Sequence, residues 1–217
     1  SAPDSLSVEE ILYAATLTND INTKLNIYKS ADRIYGNDWR CANNVAYCNI
    51  LLNKPSDAQT ALDKAKSLNA NAPEVNNNLG VLARWNGDRK AAMEYYKKAG
   101  VFSEVNHNMG IVNIREGKYN DAVTNFGSEN SFNAALAKTL AGNGDAAVAT
   151  LDASPEKDDA ITYYLKAIVG ARKGTVDMVI TNLKIAVDKD ASLKNKAKED
   201  LEFIKLRDNA DFKALVG

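Results

Sequence analysis

Four residue types are scarce in this 217-residue chain: it has one histidine, one glutamine, two cysteines and four prolines. Each scarcity closes off a class of protein. With His107 as the single histidine, no histidine pair or histidine-rich metal site can form within one chain. Cys41 and Cys48 lie seven residues apart in a helical segment, so about two turns, or roughly 10 Å, separate them. That is beyond the reach of a disulfide. No Cys-x-x-Cys or mixed Cys/His set accompanies them, and they read as small packing residues. A chain without disulfides fits a reducing or an oxidising compartment equally. No run of apolar residues approaches the length that crosses a bilayer. Charge of one sign is missing as well: 27 basic residues face 28 acidic ones. That balance argues against an electrostatic nucleic-acid binder. Few β-branched runs, few prolines and abundant Ala and Leu favour helix.

Catalytic groupings are lacking too. There is no Gly-x-x-x-x-Gly-Lys-Ser/Thr phosphate loop. The acidic residues, such as Glu9, Glu10, Asp158 and Asp159, are scattered as on solvated faces or helix starts. No nucleophile, base and orienter stand together, so the chain reads as no enzyme, with no cofactor and no metal.

What is present is a repeat. The stretch Pro73 to Gly100 reads as two short amphipathic helices. Leu79, Gly80 and Ala83 share one face of the first, and Ala92, Tyr96 and Ala99 one face of the second. Asn86-Gly87-Asp88 supplies the turn between them, since Gly takes the left-handed conformation cheaply and Asp can cap the next helix. Such a hairpin cannot bury its apolar face alone and needs copies alongside. Copies follow at Trp39 to Ala72, with Ala46, Ala58, Leu62 and Ala65, and further upstream with Leu12, Tyr28 and Ala31. Downstream, Gly110, Gly117, Ala122 and Phe126 match Gly80, Gly87, Ala92 and Tyr96. The next copy reads as Ala137, the turn Gly142-Asn143-Gly144-Asp145, and Ala149. The last carries Tyr163, Ala167, Gly174, Val179, Leu183 and Ala186. Six hairpins are expected, near 5–38, 39–72, 73–102, 103–129, 130–157 and 158–190.

The stretch from Ala191 to Gly217 breaks the pattern. It reads as a charged helix carrying Leu201, Phe203, Ile204 and Leu206, then a tail with Phe212 and Leu215. A cap that is polar outside and apolar inside is what the end of a helical stack needs. Ser1-Ala2-Pro3-Asp4 reads as a linker, and the chain is expected to be part of something longer.

These residues resemble the tetratricopeptide repeat. The 34-residue spacing carries the resemblance, together with the small residue at Ala46, Gly80, Gly110, Ala137 and Ala167. So do the alanines at Ala58, Ala92, Ala122 and Ala149, and at Ala31, Ala65, Ala99 and Ala186. The resemblance implies an all-α, right-handed α-α superhelix (a solenoid) over most of the chain, closed by a C-terminal capping helix. Ala42, Asn76 and Asn106 stand where the family has Trp, and the units after the second are shorter than 34 residues. The ending EDLEFIKLRDNADFKAL also resembles the tail of such repeat regions in cell-envelope proteins of Gram-negative anaerobes, some with an OmpA-like domain. That implies a periplasmic or outer-membrane-associated setting, with a cytoplasmic one as the alternative.

One polar pattern stands out. Asn44, Asn78 and Asn108 occupy the same position in three successive first helices, and Asn43, Asn77 and His107 each precede them. The resemblance implies a ladder on a concave groove. An amide both donates and accepts, so such a ladder can hold the backbone of an extended peptide. The same asparagines can instead be structural, tied to neighbouring helices. Tyr47, Arg84, Trp85 and Arg115 are expected on the groove side or its rim, where aromatics and Arg serve as anchors. Trp85 can equally pack between hairpins. A carboxylate-gripping set of the kind some members use is not matched, because Glu104 stands where a lysine is required. The expected role is a non-catalytic scaffold binding a segment of a protein partner, without nucleic acid and without membrane insertion. The rivals are a structural spacer for a neighbouring domain and an accessory domain of an enzyme.

Overall fold

The computed structural model describes residues 6–217. The expected linker at Ser1–Asp4, and the outset of the first hairpin, lie outside them. Among the described residues there are fourteen α-helices, one 3-10 helix and no strand. The chain divides into two compact units, 1–112 and 113–217.

The first unit holds α1 (Val8–Thr16), α2 (Ile21–Ile34), α3 (Trp39–Leu51), α4 (Pro55–Leu68), α5 (Pro73–Trp85) and α6 (Arg89–Ala99), with most of α7 (Ser103–Arg115). Consecutive helices fold back on one another as hairpins. Their starts follow from local chemistry. Ser7 and Glu10 form a reciprocal capping box on α1, Asp20 caps α2 and Asp88 caps α6. Pro55 and Pro73 sit at the first position of α4 and α5, where the missing N–H costs nothing. Between α5 and α6 the core is tight. A Cβ built on Gly80 would stand 2.4 Å from the Tyr96 ring, so only glycine lets these helices cross. Tyr96 is fully buried in that crossing.

The second unit holds α8 (Tyr119–Phe126), α9 (Phe132–Leu140), α10 (Gly144–Ala153), α11 (Ala160–Lys173) and α12 (Val176–Lys189). After these come α13 (Leu193–Glu199), the 3-10 helix (Leu201–Leu206) and α14 (Ala210–Val216). The last three elements cover the α11–α12 hairpin. Phe203 packs edge-on to Tyr164 with ring centroids 5.7 Å apart, and Phe212 packs against Phe203. The cap is broken into short pieces rather than one charged helix with a tail. A 3-10 helix has about three residues per turn, which eclipses positions three apart. Phe203 and Leu206 therefore face the core together, while Leu201 and Ile204 are turned outward, 73% and 53% exposed.

A single rule sets the phase of five hairpins. Each turn contains one residue with positive φ: Asn53, Gly87, Gly117, Gly142 and Gly174. The residue five positions on is fully buried in every case: Ala58, Ala92, Ala122, Ala147 and Val179. The left-handed residue ends one helix and fixes where the next begins, so it also fixes which face turns inward. This corrects the fifth hairpin. Ala149, expected in the core, is exposed, and Ala147 takes its place two residues earlier. Counted from Gly142, the first-helix partner is Ala135 rather than Ala137, although both are buried. In the first hairpin the buried positions of α1 are Ile11 and Ala15, and Leu12 is half-buried.

Candidate functional site

The asparagine pairs Asn43-Asn44 and Asn77-Asn78 lie on α3 and α5, and His107-Asn108 on α7, the first helices of three successive hairpins. Their side chains meet between the helices. Asn78 Nδ2 donates to Asn43 Oδ1 at 2.9 Å, and Asn108 Nδ2 donates to Asn77 Oδ1 at 3.1 Å. Asn77 in turn donates through Nδ2 to Glu104 Oε1 at 2.8 Å. Asn78 and Asn108 are 6% and 7% exposed. A ladder of free amides on the surface is therefore not what the chain builds. The helices come close enough that a short side chain at the crossing ends against its neighbour, and a buried amide must find a partner there. Asn76, in the family's Trp position, is also spent inside, donating to the carbonyls of Ala70 and Ala72.

Most of the tied asparagines also line one cavity. A cavity of about 220 Å3 opens beside α3 and α5. Asn43, Asn44 and Tyr47 line it from α3, with Glu74, Asn77 and Asn78 from α5. Tyr28 closes it from α2, and Phe102 and Glu104 from the start of α7. Asn43 and Asn78 are at least nine-tenths buried, as is Tyr28. Asn78 and Asn43 are tied through one atom of each amide, and Tyr28 lines the cavity beside them. Burial raises the Tyr28 phenol above its usual range, so the hydroxyl stays protonated and can donate.

Five of the ten residues singled out in the sequence thus meet at this cavity: Asn43, Asn44, Tyr47, Asn77 and Asn78. The other five do not line it. Asn108 braces it through Asn77. Arg84 lies beside Tyr96, where its charge opposes the rise that burial imposes on the phenol. Arg84 Nε and the Tyr96 hydroxyl are both buried without a hydrogen-bond partner among the described residues. Trp85, at the end of α5, is 41% exposed, and His107 is half-buried on α7. Arg115 is exposed and belongs to the second unit. The sequence reading missed Tyr28, Phe102 and Glu74 as lining residues. Tyr28 carried a signal only for the core pattern of the second helices, and it serves the core and the cavity together.

A larger cavity, about 630 Å3, lies at residues 34–40. Its charged groups are already matched, since Arg40 is paired with Asp38 at 2.6 Å and with Glu9 at 3.0 Å. Among the described residues no three His, Cys, Asp or Glu side chains gather where they could hold a metal ion. No described helix is long and apolar enough to cross a membrane. Cys41 and Cys48 are free and buried, and burial pushes both thiols up to about 11. Such thiols are poor nucleophiles at neutral pH.

No protein-family model matches the sequence, and no match was found among curated proteins. Solved structures do match. PilW, described as a widely conserved type IV pilus biogenesis factor, is similar at a TM-score of 0.70 and 18% identity, covering 92% of this chain and 97% of its own. PilF of Pseudomonas aeruginosa follows at 0.67 and 14%, covering 92% and 96%. YrrB, a tetratricopeptide-repeat protein described as having an unusual peptide-binding site, matches at 0.58 and 21%, covering 78% and 97%. The fold is that of a tetratricopeptide-repeat solenoid. At these identities the likeness is one of fold alone.

Proposed function

We propose that the chain is a non-catalytic scaffold whose first unit holds an extended segment of a partner protein in the cavity between α3 and α5. The observation that carries this is the lining of that cavity, where the amides of Asn43, Asn44, Asn77 and Asn78 on two adjacent first helices meet Tyr28 and Tyr47. Side-chain amides both donate and accept, which suits the N–H and C=O of a peptide backbone. Exposed Tyr47 offers a ring beside them, the kind of side chain that anchors interfaces. The peptide-binding description of YrrB is in keeping with this use of the fold.

The setting we propose with it is the cell envelope of a Gram-negative bacterium, where the chain forms part of a larger protein. This rests on the resemblance of the C-terminal tail. Fractionation of cells that make the native protein tests it, and recovery in the cytoplasm alone would overturn it.

The binding role is tested with a hexapeptide array against the full chain. Binders are expected, and Tyr47→Ala should weaken them about tenfold or more with an unchanged melting temperature. An array with no binder, or binding indifferent to Tyr47, would instead leave the chain a spacer for a neighbouring domain.

A further inference from the structure

Resting on the proposed role of this cavity, we infer that the partner segment seats a lysine or arginine side chain there. Among the described residues, the charged groups that line it are Glu74 and Glu104, with no Lys or Arg in the lining. They come from different helices, so both carboxylates reach one space. Glu104 is also held in place: Asn77 donates to it at 2.8 Å, and Asn108 braces Asn77 at 3.1 Å. An anchored acceptor loses little freedom when a cation arrives.

The rest of the lining fits the same occupant. Tyr47 and Phe102 present rings to a cavity that holds two carboxylates. A cationic head gains from carboxylate and ring face together, and its aliphatic stem gains from apolar contact. Asn43 and Asn78 on the same lining carry side-chain amides, a chemistry that suits the main chain on either side of that residue. An aspartate or glutamate in the same place would meet two like charges with nothing to offset them. The larger cavity at residues 34–40 offers no such preference, because its Arg40 and Asp38 neutralise each other.

The test uses synthetic hexapeptides that differ only at one central residue: lysine, arginine, norleucine or glutamate. Binding to the full chain is measured at two salt concentrations. The lysine and arginine peptides are expected to bind about tenfold or more tighter than norleucine, with the advantage shrinking as salt rises. Glutamate should bind weakest. Glu74→Gln and Glu104→Gln should each remove part of the preference, and the double variant should make lysine and norleucine equal. Gln at 104 keeps an oxygen that can accept from Asn77, and an unchanged melting temperature confirms that the tie survives. Peptides that bind equally whatever the central residue, or a double variant that keeps the lysine preference, would overturn the cation inference alone. Absence of binding by all four peptides would overturn the groove reading beneath it.

Discussion

The two units solve one packing problem with different chemistry at equivalent positions. In the first unit, the positions nine and ten residues before the left-handed turn residue hold Asn43-Asn44 and Asn77-Asn78. In the second they hold Phe132-Asn133 and Tyr164-Leu165. Amides tie first helix to first helix there, and Asn43, Asn77 and Asn78 line a cavity as well. By contrast, the Tyr164 ring is buried against Phe203 and its hydroxyl donates to Asp200 at 2.8 Å. Ion pairs finish the second unit, with Arg172 on Glu202, Lys173 on Asp145, and Lys166 on Asp152 at 2.6 Å. An apolar face with its polar ends satisfied is closed. An amide face around a cavity is open.

The sharpest way to break this contrast is to remove the centre of the closed face. Phe203→Ala empties a fully buried ring site that touches both Tyr164 and Phe212, and should destabilise the second unit by about 3–5 kcal/mol. Hydrogen exchange in α11 and α12 reads it, and protection equal to the parent would show that residues 201–217 do not support that hairpin. Next comes the close crossing of the first unit. Gly80→Leu drives a side chain into the Tyr96 ring and should cost about 1–3 kcal/mol or more in a denaturant titration.

The amide ties come third. Asn78→Ala leaves Asn43 Oδ1 buried without its donor, at about 1–3 kcal/mol. Asn44→Ala removes no tie of this kind and should stay within about 0.5 kcal/mol. Equal melting of the two variants would mean that Asn43–Asn78 is not a support. The smallest effect is with pH. Both buried thiols are raised from 9.0 to about 11. Above pH 9.0 the unfolded chain releases these protons while the folded chain keeps them. Stability that is complete below that pH is therefore lost as pH rises toward about 11. A Cys41→Ala/Cys48→Ala chain should show a shallower alkaline decline, and an identical slope would locate the cause elsewhere.

Much of this was legible in the sequence. Gly80 and Ala92 are the small residues that two crossing helices demand, and they stand where local spacing puts them. Gly87 and Gly117 announce their turns because left-handed backbone favours glycine. Asn53 does the same work with a side chain, and its neighbours Ala46 and Ala58 carried the repeat instead. The fifth hairpin slipped by two residues because Ala134, Ala135, Ala137, Ala146, Ala147 and Ala149 are indistinguishable in type. Only the position of Gly142 separates those that face inward.

The site divides along the same line. The sequence by itself determined that asparagines recur on three first helices, because a repeat places like positions in register. Which amide atoms are consumed was decided only in three dimensions. Donor and acceptor on one side chain have separate fates, and a one-dimensional pattern cannot tell Oδ1 from Nδ2. Asn78 gives its donor to Asn43, while Asn77 uses donor and acceptor together, because α3, α5 and α7 approach at particular heights. The same approach brought Glu74 and Glu104, thirty residues apart, to one cavity, and gave it a sign of charge that neither residue's neighbours in the chain display.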